Sequence, residues 1–235
     1  MTYGVILAGG IGSRMGGDKP KQYLTIKDKP IIIYTVEKFF AEPAFEKIII
    51  LCPKQWVEHT KNIIEKHLAP GTSRIAVIEG GETRNETIMN AIRFIESEGN
   101  LDENTVIVTH DSVRPFVTHR IIQENIEACE KYGACDTVIP ATDTIVESAD
   151  GKRISYIPDR SKMYQGQTPQ SFKALRLKEV YDSLTDDEKN ILTDAAKILV
   201  LKGDTVALVE GETFNIKLTH PYDLRIAKSL LEDEE

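Results

Sequence analysis

Apolar positions along the chain fall into short continuous runs, separated by longer stretches in which they recur every three or four residues. Six runs read as strands: Tyr3 to Ala8, Lys47 to Cys52, Ile75 to Glu79, Thr105 to Thr109, Asp136 to Pro140 and Val206 to Val209. Between them, helical spacing marks buried faces at Ile88, Ala91, Ile92 and Ile95, at Ile122, Ile126 and Cys129, and at Leu224, Ala227 and Leu231. This alternation predicts an α/β fold, a Rossmann-like and mostly parallel sheet flanked by helices. Thr83 with Glu86, and Thr185 with Glu188, have the spacing of capping boxes, while Pro30 and Pro221 stand where first helical turns begin. One stretch breaks the rhythm. Two extended pieces, 144–147 and 153–157, flank the turn-forming Ser148-Ala149-Asp150-Gly151 and predict a protruding β-arm over about 142–160. Such an arm has little core of its own and is expected to pack against a second copy in a homodimer.

Composition narrows this picture. With 235 residues, 41% of them hydrophobic, the chain holds enough apolar material for one large core, and a single domain over 1–235 is expected. The longest apolar runs are too short to cross a bilayer and the N-terminus lacks a basic signal region, so we expect a cytoplasmic protein with no membrane partner. Cys52, Cys129 and Cys135 are odd in number and form no C-x-x-C pair, which supports packing roles over disulfides or zinc. A net charge of −8 argues against a nucleic-acid partner, yet leaves room for a local cationic pocket.

Candidate chemistry sits where strands end. Leu7-Ala8-Gly9-Gly10-Ile11-Gly12-Ser13-Arg14-Met15 follows the first strand, where glycines let backbone N–H groups approach a phosphate and Arg14 adds a fork of donors. The run matches neither a P-loop nor a good dinucleotide fingerprint, and a tight turn without ligand is its plain alternative. Lys21 follows in Lys19-Pro20-Lys21-Gln22-Tyr23, where it could face a phosphate or be a surface lysine competing with Lys19. Thr109-His110-Asp111-Ser112-Val113-Arg114-Pro115 ends the fourth strand. Its Asp111 can accept from hydroxyls or ligate Mg²⁺, and Arg114 can grip a phosphate, although a surface ion pair is equally open. Arg84 after Gly80-Gly81, Thr144 and Arg160 bracketing the arm, Thr168 in Gln167-Thr168-Pro169-Gln170, Thr193 before Asp194, and Lys217 in Asn215-Ile216-Lys217 are weaker alone. Thr168-Pro169 could be only a turn.

In order along nearly the whole chain, these pieces resemble the cytidylyltransferases acting on polyol phosphates, which share the nucleotidyltransferase fold. The resemblance implies that CTP and a polyol phosphate are the substrates and Mg²⁺ the cofactor. Arg14, Lys21 and Lys217 would then stabilise charge on the CTP phosphates. Leu7, Ala8, Gly9, Gly10 and Gly12, with Gly80, Arg84 and Thr87, would hold the nucleotide. Asp111 would be the metal-side carboxylate, facing the acceptor with Arg114; Thr144 and Arg160 would come from the arm, in the partner subunit's site, and Thr168 and Thr193 would line the pocket. Ala8-Gly9-Gly10, Asp111-Ser112-Val113 and Tyr164-Gln165-Gly166 lean towards the branch that uses D-ribitol 5-phosphate for teichoic-acid or related cell-surface polymer synthesis. Its sister branch, using 2-C-methyl-D-erythritol 4-phosphate for isoprenoid synthesis, is the alternative. A nicotinamide oxidoreductase is disfavoured, because Leu51-Cys52-Pro53 stands where an acidic residue should end the second strand.

Overall fold

Burial on both faces drives the central strands. In β1 (Thr2–Leu7) every residue is buried, with Tyr3, Val5 and Leu7 packed on one side of the sheet and Ile6 on the other. The computed structural model describes residues 1–10, 19–68 and 72–232. After β1 come β2 (Phe45–Cys52), β3 (Ile75–Glu79), β4 (Val106–Asp111), β5 (Ala134–Pro140), β6 (Tyr164–Lys173) and β7 (Ala207–Glu210). They form a seven-stranded sheet in the order β3-β2-β1-β4-β6-β5-β7. All neighbours run parallel except β6, which is antiparallel to both β4 and β5.

Helices cover both faces. Helix α1 (Ile31–Phe40), α2 (Val57–Leu68) and α4 (His119–Tyr132) bury Ile32, Val36, Ile64, Ile122 and Ile126 against one face. On the other lie α3 (Arg84–Ser97), α5 (Ala174–Asp182) and α7 (Ala196–Leu201), through Ile88, Ile92, Leu177 and Ile198; the short α6 (Asp186–Asn190) links α5 to α7. Both expected capping boxes form, at Thr83 with Glu86 and at Thr185 with Glu188. A third, smaller cluster joins Ile26, Ile31, Val113, Phe116, Leu218 and Ala227, the last on α8 (Asp223–Glu232). It ties the segment carrying Lys217 to the loop that follows β4.

Strand β6 is the element that sequence patterning does not anticipate. Gly166 and Pro169 read as turn formers, yet the segment pairs from Tyr164 with Pro140 to Lys173 with Val106, across an irregularity opposite Asp136 to Val138. The Thr168–Pro169 peptide is cis. The arm forms no regular ladder: a single bridge joins Glu147 to Tyr156, and its side chains lie open, with Ile154 61% and Tyr156 58% exposed.

Candidate active site

Chain order reverses between β1 and β4, since β2 and β3 are added on one side of β1 and β4 on the other. In open α/β sheets this switch point leaves a crevice at the carboxyl ends of the strands. There a cavity of about 360 Å³ is lined by Leu7, Gly9, Gly10, Lys21, Gln22, Gly81 to Arg84, Thr87, Asp111 to Val113, Lys217 and Thr219. Its volume suits a small-molecule ligand.

Three cations converge on one carboxylate at its wall. Arg84 Nη1 lies 2.7 Å from Asp111 Oδ1; Lys217 Nζ and Arg114 Nε lie 3.0 and 3.5 Å from Asp111 Oδ2. Burial alone would push the Asp111 carboxyl up, but Arg84, Lys217 and Arg114 together hold it well below the usual carboxylate range. It is therefore ionised, and the four groups sum to a local charge of about +2 in a protein of net charge −8. Lys21 adds to this. Such a focus of positive potential suits polyphosphate.

Each cation is placed by a specific local structure. Arg84 opens α3, whose capping box fixes the turn, and Gly81 is required there because a Cβ would lie 2.5 Å from Glu86 Cβ and 2.8 Å from backbone. Lys21 begins a 3-10 turn, Lys21–Tyr23. Gln22 Nε2 donates to the Ala8 carbonyl at 2.7 Å, and the fully buried Tyr23 stacks on Trp56 and bonds Thr60 at 2.7 Å. Lys217 is carried by a segment that Asn215 pins, donating to the Thr168 carbonyl at 2.9 Å, while Arg114 Nη1 donates to the Asn215 carbonyl at 2.8 Å.

Of the expected residues, the cavity gathers Leu7, Gly9, Gly10, Lys21, Arg84, Thr87, Asp111 and Lys217, with Arg114 bonded to Asp111 behind them. Ala8 is buried and contributes its carbonyl to Gln22. Gly80 sits just behind Thr87, whose hydroxyl a Cβ there would meet at 3.2 Å. Arg14 and Gly12 lie outside the described residues. Thr144, Arg160 and Thr193 are exposed and not brought to this chain's cavity, Arg160 instead donating to the Thr142 carbonyl at 3.0 Å. Thr168 is buried, with its hydroxyl engaged by His110 Nδ1 at 2.9 Å and the Asp111 N–H at 3.2 Å. Gln165 is exposed on β6 and does not line the cavity, whereas Ser112 does. Gln22, Gly81 to Thr83 and Thr219 are cavity residues that sequence reasoning missed; the glycine pair before Arg84 was the available signal for the second group.

The donor set does not fit Mg²⁺ held by protein side chains. Both Asp111 oxygens are already paired with cations, and among the described residues no group of three or more His, Cys, Asp or Glu could hold a metal. A dication at Asp111 would meet three positive neighbours, so the observed pairing of Asp111 with Arg84, Arg114 and Lys217 does not fit the expected ligand role. His110 is fully buried, and burial lowers its pKa to about 4. It offers no base to the cavity.

Among the described residues no helix is long and apolar enough to cross a membrane. The family model described as IspD, 2-C-methyl-D-erythritol 4-phosphate cytidylyltransferase, matches residues 2–233. Among solved structures, the 2-C-methyl-D-erythritol 4-phosphate cytidylyltransferase of Francisella tularensis is 28% identical with a TM-score of 0.80, over 97% of this chain and 98% of that one. The enzyme of the same description from Thermus thermophilus is 25% identical with a TM-score of 0.72, over 99% and 100%. A 4-diphosphocytidyl-2C-methyl-D-erythritol synthase from Anaerococcus prevotii, 24% identical with a TM-score of 0.80 over 99% and 96%, adds likeness of fold.

Proposed function

The chain belongs to the 2-C-methyl-D-erythritol 4-phosphate cytidylyltransferase family, and from that premise we propose that it joins the cytidylyl group of CTP to 2-C-methyl-D-erythritol 4-phosphate, releasing pyrophosphate. That it is a nucleotidyltransferase moving the cytidylyl group of CTP to a phosphorylated polyol follows from the family; the acceptor and the residue roles are our reading. The observation that carries it is the cationic cavity at the switch point, where Arg84, Arg114 and Lys217 gather around one buried carboxylate and Lys21 lines the same cavity.

In this reading an acceptor phosphate oxygen attacks the α-phosphorus of CTP in line. A new P–O bond forms as the α–β bridging P–O bond breaks, and pyrophosphate leaves with the electron pair. The attacking group is already an oxyanion, so no side chain removes a proton, in keeping with a buried His110 of pKa about 4. What the protein supplies is alignment of two polyanions and neutralisation of growing charge. Lys21 and Lys217 stabilise the phosphates, with Arg14 as a further donor from the glycine loop; Leu7, Gly9, Gly10, Gly12, Gly80 and Thr87 flank the nucleotide. Asp111 keeps the cations in place and faces the acceptor with Arg114.

The acceptor phosphate is bound by Thr144 and Arg160 of a second copy, docked through the arm. Support comes from the arm's open apolar side chains, Val146, Ile154, Tyr156 and Ile157, which have no core within their own chain. Mixed dimers of Arg160→Ala and Lys21→Ala subunits should regain partial activity, because one site in each keeps both residues. No recovery in verified heterodimers would place each site within one chain.

A second reading, D-ribitol 5-phosphate, is the one expected from the sequence. The comparisons favour the methylerythritol compound over it, and Gln165, one of its motivating residues, stands away from the cavity. Ser112 still favours it, because a hydroxyl lining the cavity suits a longer, hydroxyl-rich acceptor. The test is kcat/KM for both acceptors with CTP under identical conditions. A tenfold preference for the methylerythritol compound, about 1.4 kcal/mol in transition-state binding, is expected; the reverse preference would establish the ribitol reading.

A further inference from the structure

Beneath the cavity, three buried groups close a set of hydrogen bonds that the transfer step itself does not use. The β4–β6 ladder ends at Thr109 paired with Gln170. One step further, the Asp111 N–H meets a side chain in place of a backbone carbonyl, donating to Thr168 Oγ1 at 3.2 Å. The same hydroxyl contacts His110 Nδ1 at 2.9 Å, and His110 Nε2 contacts the Arg114 carbonyl at 3.0 Å. His110, Thr168 and Asp111 are all buried, and the Phe39 ring lies tilted against the imidazole with centroids 5.3 Å apart.

Donor and acceptor counting fixes every proton in this set. A carbonyl oxygen only accepts, so Nε2 carries the hydrogen. Neither ring nitrogen meets a carboxylate and the ring has no contact with water, so a second proton on Nδ1 would be an unpaired buried charge. Nδ1 is therefore bare, and the Thr168 hydroxyl donates to it while accepting from the Asp111 N–H. Thr168 thus has its single proton committed beneath the site.

We propose that His110, held as the neutral Nε2–H tautomer, is a positioning residue that acts through Thr168 and the Arg114 carbonyl to fix the turn presenting Asp111 and Arg114 to the acceptor. This deepens the functional reading above and rests on it for the acceptor. Two bonds are involved, one at each end of the 111–114 turn, so losing the ring's polar atoms frees both ends together. Phe39 and the strand packing would remain.

The test has a spectroscopic and a kinetic arm, both on the full chain. Nitrogen-15 NMR of the ring nitrogens, with His110 assigned among the five histidines by through-bond correlation to its own backbone in the wild-type protein, should give a protonated Nε2 and a bare Nδ1 at neutral pH. A protonated Nδ1 would overturn the proposal. In the kinetic arm, His110→Phe keeps the ring's packing and loses both bonds; kcat/KM for the acceptor should fall about tenfold or more while KM for CTP stays near wild type. His110→Asn, which restores an acceptor near Nδ1, and His110→Gln, which restores a donor near Nε2, should each recover part of the loss. Wild-type acceptor kinetics in a folded His110→Phe, or equal losses towards CTP and acceptor in all three variants, would refute it. Should the variants not fold, the tautomer measured in the wild-type protein decides. A wild-type enzyme without cytidylyl transfer would sink the functional reading and leave the tautomer result standing.

Discussion

Asp136 stands on β5 beside β6, with its Oδ1 buried and lacking a hydrogen-bond partner. Burial, reinforced by the nearby Asp194 carboxylate, raises its pKa from the usual 3.8 to about 7. Between those two values the unfolded chain has lost its proton and the folded chain keeps it, so folding takes up a proton and stability falls as pH rises through this window. A difference of about three pH decades is worth at most about 4 kcal/mol. Part of the residue reaches solvent, so about 2 kcal/mol is the figure we expect after screening. Asp136→Asn removes the charge, keeps the shape and offers Asp194 a donor. Urea denaturation of wild type and variant at pH 4 and pH 8 is the assay. The variant should be more stable by about 2 kcal/mol at pH 8 and close to wild type at pH 4. Equal stabilities at both pH values, or a variant less stable at pH 8, would refute the argument that an ionised Asp136 strains the fold.

Lys21→Ala should lower kcat by about 10²–10³ with little change in melting temperature, while Lys19→Ala is much milder; near-normal turnover in Lys21→Ala would remove it from the mechanism. Asp111→Asn should raise KM for the acceptor and leave the Mg²⁺ concentration needed at fixed CTP unchanged, since the carboxylate serves the cations; a shifted Mg²⁺ requirement would restore it as a metal ligand. For Tyr23→Phe, which loses only the hydroxyl bond to Thr60, kcat should fall more than KM for CTP, because the turn that carries Lys21 loosens; unchanged kcat would show that the stacking on Trp56 alone holds it.

Hydrophobic patterning located six strands to within about two residues, because each holds a short run of apolar and β-branched residues bounded by polar or turn-forming positions, and local pattern then suffices. It missed β6, where Gly166 and Pro169 look like turn chemistry and only the neighbours β4 and β5 make the segment a strand. The arm read as two strands, yet a single bridge joins its two sides. In the site, glycine and charge at strand ends pointed to Gly9, Gly10 and Asp111, while Arg84 and Lys217 were weak alone and entered through the family resemblance. What no local pattern could tell was their mutual arrangement: Arg84, Arg114 and Lys217 are distant in sequence and meet only at Asp111. The setting of Asp111 was half legible for the same reason: its pair with Arg114 lies within one motif, while Arg84 and Lys217 join it only after folding. Gln22 escaped notice because its role is a bond to the backbone of Ala8.

The most direct test of the account is to follow CTP, acceptor and purified protein by phosphorus-31 NMR. The account predicts that one pyrophosphate appears for every diphosphate linkage formed between cytidine and the polyol, with no conversion of CTP when the acceptor is left out. CTP left intact in the presence of both polyol phosphates, or hydrolysed to CMP without any acceptor, would contradict it.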